Sequence, residues 1–193
     1  LDNIRSYFHE EIEFPCGTVL FKGDIGSGKS SILMAIEFAL FGLGSMKPQS
    51  LLSKKAHAGH VALEFTVGEK RYEVRRALVR KKGEVTQDPK NSHIIEDGQK
   101  EPLTPSELKE RVIRILGFNE PTAHNSNSRI YRYAVYTPQE EMKEVLKDPD
   151  KRKDTIRRAF GIDDYNNAGI NAKALATRIK EDVIRTEALS RGA

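Results

Sequence analysis

Between positions 60 and 67 the chain alternates strictly, with Val61, Leu63, Phe65 and Val67 set against His60, Ala62, Glu64 and Thr66. A period of two puts one set on each face of an extended chain, so the pattern predicts a half-buried β-strand. Gly68-Glu69 then suits a two-residue type II′ turn, and KRYEVRRALVR reads as the antiparallel return strand. Further strand-like runs lie at 84–86 and 93–95, the second leading to the turn pair Asp97-Gly98. Upstream, IRSYFHEEIEF and the β-branched and aromatic run Thr18-Val19-Leu20-Phe21 predict a pair of strands, the latter buried.

Elsewhere the period is helical. The run SSILMAIEFALFG, from Ser30 to Gly42, is apolar nearly all round, with Glu37 as its only charge. Such a helix is enclosed within a domain. Thr104-Pro105-Ser106-Glu107 is a capping box ahead of the stripe Leu108, Val112, Ile115 and Leu116, and Gly117 ends that helix. The same grammar recurs at Thr137-Pro138-Gln139-Glu140, directly after the strand-like RYAVY, which places Gln139 in the first turn of a helix. A third helix is expected from Pro149 to Gly161, and a last one from about Asp164 onward, with Leu175, Ile179 and Val183 on one face. Together these elements predict an α/β fold built on a mixed sheet, with an antiparallel β subdomain.

The stretch Gly23-Asp24-Ile25-Gly26-Ser27-Gly28-Lys29-Ser30 sits between the predicted strand at 18–21 and the enclosed helix. It fits G-x-x-x-x-G-K-[ST], the P-loop, and the order strand, loop, helix is the context that pattern requires. Glycines at 23, 26 and 28 let the backbone take positive φ and turn its N–H groups around an anion. Lys29 supplies a charge for the β- and γ-phosphates, the Ser30 hydroxyl can ligate Mg²⁺, and the helix points its positive end at the same anion. Nucleotide binding by residues 24–30 and the adjoining Ser31 is the expectation.

Composition narrows the setting without deciding it. A length of 193 residues suits one domain with a sizeable core and an appendage. The net charge of +4 permits an anionic macromolecular partner without demanding one. Cys16 is the sole cysteine, which excludes an internal disulfide framework and points to a reducing compartment. No signal-peptide pattern is visible and no apolar run approaches the ~20 residues of a membrane span, so no membrane partner is expected. The histidines at 9, 57, 60, 93 and 124 lack ligand spacing and read as surface or loop residues.

A P-loop hydrolase also needs an acid at the end of an apolar strand to complete its Mg²⁺ site. Neither HVALE nor SHIIED supplies one convincingly, and LSRG near the end has Arg191 where a signature loop needs glycine. No N-K-x-D base-reading motif of a GTPase is present. The chain carries half of an active site. NIRSY, GSGKSSIL with the following FALFG, and VYTPQEEMKEVL resemble the N-terminal half of the Rad-fifty/SbcC double-strand-break repair ATPases, SMC-like members of the ABC class. The resemblance covers roughly 3–190. It departs from the family at Asp24 and Ile25, where Asn and Gly are usual, and at Ile4, where an aromatic is usual.

The resemblance implies ATP and Mg²⁺ as cofactors, with Lys29 and Gln139 as catalytic groups and Ser30 and Gln139 at the metal. It implies that Arg5 and Ser6 lie against the nucleotide, although on their own they read equally as the end of a strand. It implies an ATPase lobe over 1–163, the root of a coiled coil over 164–193, and a C-terminal half that brings the missing acid. The partners implied are that half, a second copy joined through sandwiched ATP, an Mre-eleven/SbcD-type nuclease and double-stranded DNA, in the cytoplasm or nucleoid. Another SMC-like or RecF-type ATPase, or a transporter ATPase subunit, is the alternative. Lys29 and Gln139 lie 110 positions apart, which favours the first group over transporters. Finally, 70–82 holds seven Lys or Arg against Glu73. Arg75, Arg76, Arg80, Lys81 and Lys82 are candidates for sequence-blind phosphate contacts, the competing reading being a charged strand that resists edge-to-edge association.

Overall fold

The computed structural model describes residues 1–118, 120, 122, 126–128, 130–136, 148–150, 153, 157 and 162–191. They fall into two compact units, 1–142 and 143–193. In the first, a sheet is formed by β1 (Asp2–Ile4), β2 (Tyr7–His9), β3 (Ala58–Val67), β4 (Lys70–Lys81), β5 (Glu84–Glu96) and β6 (Gln99–Pro102), in the order β2-β1-β3-β4-β5-β6. Every neighbouring pair is antiparallel.

The 60–67 alternation holds. Val61 is buried on β3, and Val67 faces Lys70 across the Gly68-Glu69 turn. Gly68 alone of that pair has positive φ (+63°), as a type II′ turn requires. Asp97 and Gly98 both have positive φ (+47° and +83°), which makes the β5–β6 connection a type I′ turn. The two short runs at 84–86 and 93–95 are parts of one strand, β5. Its pairing with β4 shifts between Arg75 and Ala77, where Ser92 accepts from the Ala77 N–H at 3.1 Å and donates to the Asp88 carbonyl at 2.7 Å. A buried hydroxyl thus satisfies the ladder where the extra residues interrupt it.

Two expectations about the sheet fail. Among the described residues there is no parallel pair, so the sheet is antiparallel and not mixed. Thr18–Phe21 forms no strand, and Leu20 is 86% exposed. Apolar character cannot make a strand without a neighbour to take its backbone hydrogen bonds, and none of the described strands lies beside it. The partner of the first residues is instead the adjacent hairpin β1–β2.

Against one face of the sheet lies α1 (Lys29–Phe41), and its burial bears out the enclosed helix. Ala35, Phe38 and Ala39 pack with Ile4, Val61, Leu78 and Val85, while Leu40 and Phe41 join Val74, Ile94 and α3 (Pro105–Leu116). Between them comes the short α2 (Pro48–Leu51). The capping box of α3 is complete: the Glu107 N–H reaches the Thr104 hydroxyl at 3.4 Å, and the Thr104 N–H reaches the Glu107 carboxylate at 2.9 Å. Gly117 closes it at φ +67°. The strand-like RYAVY is not a strand. Tyr131–Val135 is a π-helical turn, because the Tyr131 ring is buried beside Phe41 and its hydroxyl donates to the Leu33 carbonyl at 3.0 Å. Tertiary burial overrides β-propensity here.

In the second unit, α4 (Ile162–Arg191) runs 30 residues with Leu175, Ile179 and Val183 exposed along it. Among the described residues no helix is long and apolar enough to cross a membrane. The second capping box at 137–140, His124, and most of 149–161 lie outside the described residues.

Arg76 is the largest fully buried side chain among the described residues, at 1% exposure. Its Nε donates to the Ala39 carbonyl at 2.9 Å, and its Nη atoms donate to Leu40 at 3.3 Å and Pro105 at 3.1 Å. Burial lowers its pKa to about 9, still a cation at neutral pH. Arg76→Met removes a donor from the buried Ala39 and Leu40 carbonyls and from the part-buried Pro105 carbonyl, and is expected to reduce unfolding free energy by about 3 kcal/mol. Lys81→Met, at an exposed site, should change it by no more than ~0.5 kcal/mol. Urea unfolding of both variants measures the difference.

Candidate functional site

The P-loop wraps the first turn of α1. Gly28 is its N-cap, in the left-handed region at φ +93°, and Gly26 lies at +84°. A Cβ on Gly28 would also stand 2.8 Å from the Tyr7 hydroxyl, so β2 closes tightly over the loop. Gly23 does not share the positive φ; its constraint is space, because a Cβ there would meet Ser27 Oγ at 2.9 Å. The Ser31 N–H turns back to the Gly28 carbonyl at 2.8 Å, which leaves the N–H groups of Lys29 and Ser30 at the open end of the helix.

Lys29 Nζ donates to the carbonyls of Gly23 and Asp24, each at 2.7 Å, and to Ser27 Oγ at 3.1 Å. The ammonium is therefore folded onto its own loop, held by neutral acceptors that an anion can displace. Ser30 is exposed beside it, and Ile25 is fully exposed. The P-loop forms one wall of a cavity of about 660 Å³. Arg5 and Ser6 line the same cavity, so the chain brings them to the loop 20 residues ahead of it. They occupy the two-residue turn between Ile4 and Tyr7, with Arg5 at φ +51°, a conformation uncommon for a non-glycine residue. The Arg5 N–H is fixed by the Leu51 carbonyl at 2.8 Å.

The same cavity is also lined by a segment that the sequence did not single out: Gln49, Ser50, Leu52, Ser53, Lys54 and Lys55. Only the fold reveals it, since SKK in a loop-rich connection has no motif. Backbone glycines, Lys29 and Ser30 form a donor set that fits a polyphosphate, and among the described residues no carboxylate lines the cavity to oppose it. One serine hydroxyl is a partial set for a magnesium ion. Gln139 lies outside the described residues.

The basic cluster separates by burial. Arg76 is withdrawn from the phosphate-contact set, because its guanidinium is enclosed by carbonyls. Arg80 is half-buried, with Nε on Ala56 O at 3.1 Å and Nη2 on Ser53 O at 3.2 Å. Arg75 is half-buried on β4, opposite His93, and its Nε is buried without a hydrogen-bond partner. Lys81 and Lys82 are exposed at the β4–β5 turn.

Residues 1–190 match the AAA domain family. The chain belongs to that family. It is 29% identical to the DNA double-strand break repair Rad50 ATPase of Methanocaldococcus jannaschii over 86% of this chain and 15% of that protein. It is 30% identical to the protein of the same name from Thermoplasma acidophilum, over 84% of this chain and 17% of the relative. Arcadin-4 of Pyrobaculum calidifontis is 29% identical over 84% of this chain and 19% of its own length. The chain therefore spans under a fifth of these relatives, and it corresponds to the N-terminal part of a Rad50-type, SMC-like ATPase.

Gly28→Ala is expected to weaken nucleotide binding at least tenfold, through backbone strain and the collision with Tyr7. Titration with a fluorescent ATP analogue checks the affinity, and far-UV circular dichroism checks that the fold is kept.

Proposed function

We propose that this chain is the nucleotide-binding half of a DNA double-strand-break repair ATPase, and that residues 24–31 with Arg5 and Ser6 hold ATP. The observation that carries the reading is the Lys29 ammonium, gathered by three neutral acceptors at the N-terminus of a buried helix. On nucleotide binding Lys29 exchanges those acceptors for β- and γ-phosphate oxygens, which carry charge and hold it more strongly. The N–H groups at the start of α1 take the same phosphates. Ser30 would hold a magnesium ion through its hydroxyl, and that ion would supply further neutralisation of the phosphate charge. Gln139 takes a place at the metal and orients water for attack on the γ-phosphate.

Hydrolysis needs an acid and a signature loop that this stretch does not provide, so the competent site forms with the C-terminal half and between two copies that sandwich ATP. The exposed apolar run at 18–21 supports this reading, since a strand ahead of a P-loop gains partners only when further strands are present. Residues 1–163 act as the ATPase lobe and 164–193 as the root of a coiled coil, consistent with the exposed stripe on α4. Nucleotide state then controls contact with duplex DNA, in which Arg75, Lys81 and Lys82 take part, and with a nuclease of the Mre-eleven/SbcD kind. Similarity to Arcadin-4 favours, as a second reading, an SMC-like ATPase that serves a different task with the same nucleotide chemistry.

Lys29→Ala is expected to abolish ATP binding; unchanged affinity for labelled ATP refutes the assignment. Gln139→Ala, in this chain joined to its C-terminal half, should leave ATP binding within about twofold while turnover and ATP-driven dimerisation fall together, by tenfold or more. Steady-state ATPase assays and light scattering read the two outcomes.

A further inference from the structure

Side chains that titrate or carry charge form a row across the six-stranded sheet, one from each strand. In the order of the sheet they are His9, Asp2, His60, Arg75, His93 and Lys100. His9 pairs with Asp2, Asp2 with His60, and Arg75 with His93. His60 is diagonal to Arg75, two positions from its partner Ala62, and Lys100 stands two positions from Pro102, the partner of His93. Residues paired across an antiparallel ladder, or two apart on a strand, share a face. Helices α1, α2 and α3 pack on the opposite face, through Val61, Leu78, Val85 and Ile94. Asp2 is the one acid of the row, and it is taken by His9 at 3.3 Å and by the Asn3 amide at 2.9 Å.

Arg75 is the centre of the row. Its Nε is buried without a hydrogen-bond partner, and none of Arg75, His60 and His93 has an ion pair among the described residues. His93 is 7% exposed. A guanidinium set between two imidazoles is unfavourable unless an anion joins them. Of the acids that adjoin the row, Glu64 pairs with Arg71, and Asp88 receives the Lys90 N–H at 3.2 Å and the Asn91 amide at 2.7 Å. Glu73, two positions from Arg75, bounds the row on one side. Neighbouring strands lie about 4.8 Å apart, so the row runs for roughly 24 Å. One strand of a duplex rises ~3.4 Å per phosphate, so this length matches on the order of seven phosphates and exceeds a single nucleotide.

We propose that the row is a phosphate track for duplex DNA, with Arg75 as its central contact and His60 and His93 as groups that strengthen the contact by taking up protons. The inference rests on the DNA reading above, and it adds His60, His93 and Lys100 to Arg75, Lys81 and Lys82. Charge continuity favours nucleic acid, since Lys81 and Lys82 stand exposed where β4 ends. Burial first, then Arg75, the Leu1 amino group and His9, hold the His60 imidazole below its ordinary value against the pull of Asp2. Burial, Lys100 and Arg75 do the same to His93. Both rings are therefore largely neutral at pH 7. A phosphate beside Arg75 favours their charged forms, so binding takes up protons and affinity rises as pH falls through the histidine range.

The test uses this chain joined to its C-terminal half, with Mg-ATP and a cyanine-labelled blunt duplex. Titrations run from about pH 7.5 to about pH 5.5, on either side of the ordinary histidine value. Affinity is expected to rise about tenfold on acidification, the equivalent of one histidine pKa moved by a unit. His60→Gln/His93→Gln should flatten that rise to about twofold or less, with affinity kept at the upper pH. Arg75→Gln should weaken binding at both ends of the range and reduce the slope against salt by about one counterion. Where circular dichroism shows that the buried His93 substitution unfolds the chain, His60→Gln alone, at a half-buried site, should halve the rise. A pH-independent duplex affinity, or a rise that survives the histidine substitutions, overturns the inference and leaves the DNA reading standing. Polyglutamate bound in preference to duplex, with the same pH dependence, assigns the row to an acidic protein and also overturns it. No duplex binding at any pH overturns both readings together.

Discussion

The carbonyls of Ala39 and Leu40 lie in the last turn of α1, where no further helix is available to satisfy them, and the Arg76 guanidinium takes both. A cation at the C-terminal end of a helix is also favoured by the helix dipole. Its third contact, to the Pro105 carbonyl, lies at the first residue of α3. One buried side chain on β4 therefore fixes the end of α1 and the start of α3 against the sheet. The P-loop is the opposite end of α1. Because the helix is rigid, holding its last turn also sets where Gly28, Lys29 and Ser30 stand relative to β1 and β2. Burying a guanidinium with no carboxylate partner costs desolvation, and the neutral carbonyls offset that only if all of them are met. The geometry is accordingly exacting.

A second buried charge acts along the same helix. Glu37 is 2% exposed, and its carboxylate receives Arg132 Nε at 2.7 Å. One turn nearer the P-loop, the Tyr131 hydroxyl reaches Leu33 O, while beyond the far end of α1 the Asn127 side chain bonds to Ser45 through both of its polar atoms. Asn127, Tyr131 and Arg132 thus all bond to α1 or to the residues that follow it. The π-helical turn is the form that lets consecutive residues Tyr131 and Arg132 both face the helix, and such turns recur at functional sites. Breaking the ion pair from one side leaves an uncompensated charge in an apolar setting, so the pair ties Arg132 firmly to α1.

Local grammar explains what the sequence disclosed. The 60–67 alternation, the Gly68-Glu69 turn and the Thr104 capping box depend on residues within a few positions of one another, and each has the expected form; the P-loop keeps it at Gly26, Gly28 and the start of α1 but not at Gly23. What stayed hidden depends on distant partners. Arg76 is indistinguishable in sequence from Arg75, yet one faces the core and the other the far side of β4, because neighbours on a strand point opposite ways. RYAVY has strand composition, but Tyr131 has a better use beside Phe41. Lys54 and Lys55 have no motif at all; only the pairing of Ile4 with Leu52 brings their loop to the P-loop. The run at 18–21 errs in the opposite sense: it has the composition of a buried strand, yet Val19 and Leu20 are exposed and none of the described strands pairs with it.

That run shows how the two halves of the cavity differ in origin. The P-loop wall is encoded contiguously and needs only glycines and the start of a helix, so it forms even though Val19 and Leu20 ahead of it are exposed. The lining at Ser53, Lys54 and Lys55 rests on a turn that Asn3 and Arg80 hold, pieces that meet only when the antiparallel sheet is in register. A slip of one residue between β3 and β4 would turn Arg80 to the other face and free Ser53 and Ala56 from its grip. The sheet that carries no P-loop residue thereby sets part of the cavity that the P-loop lines.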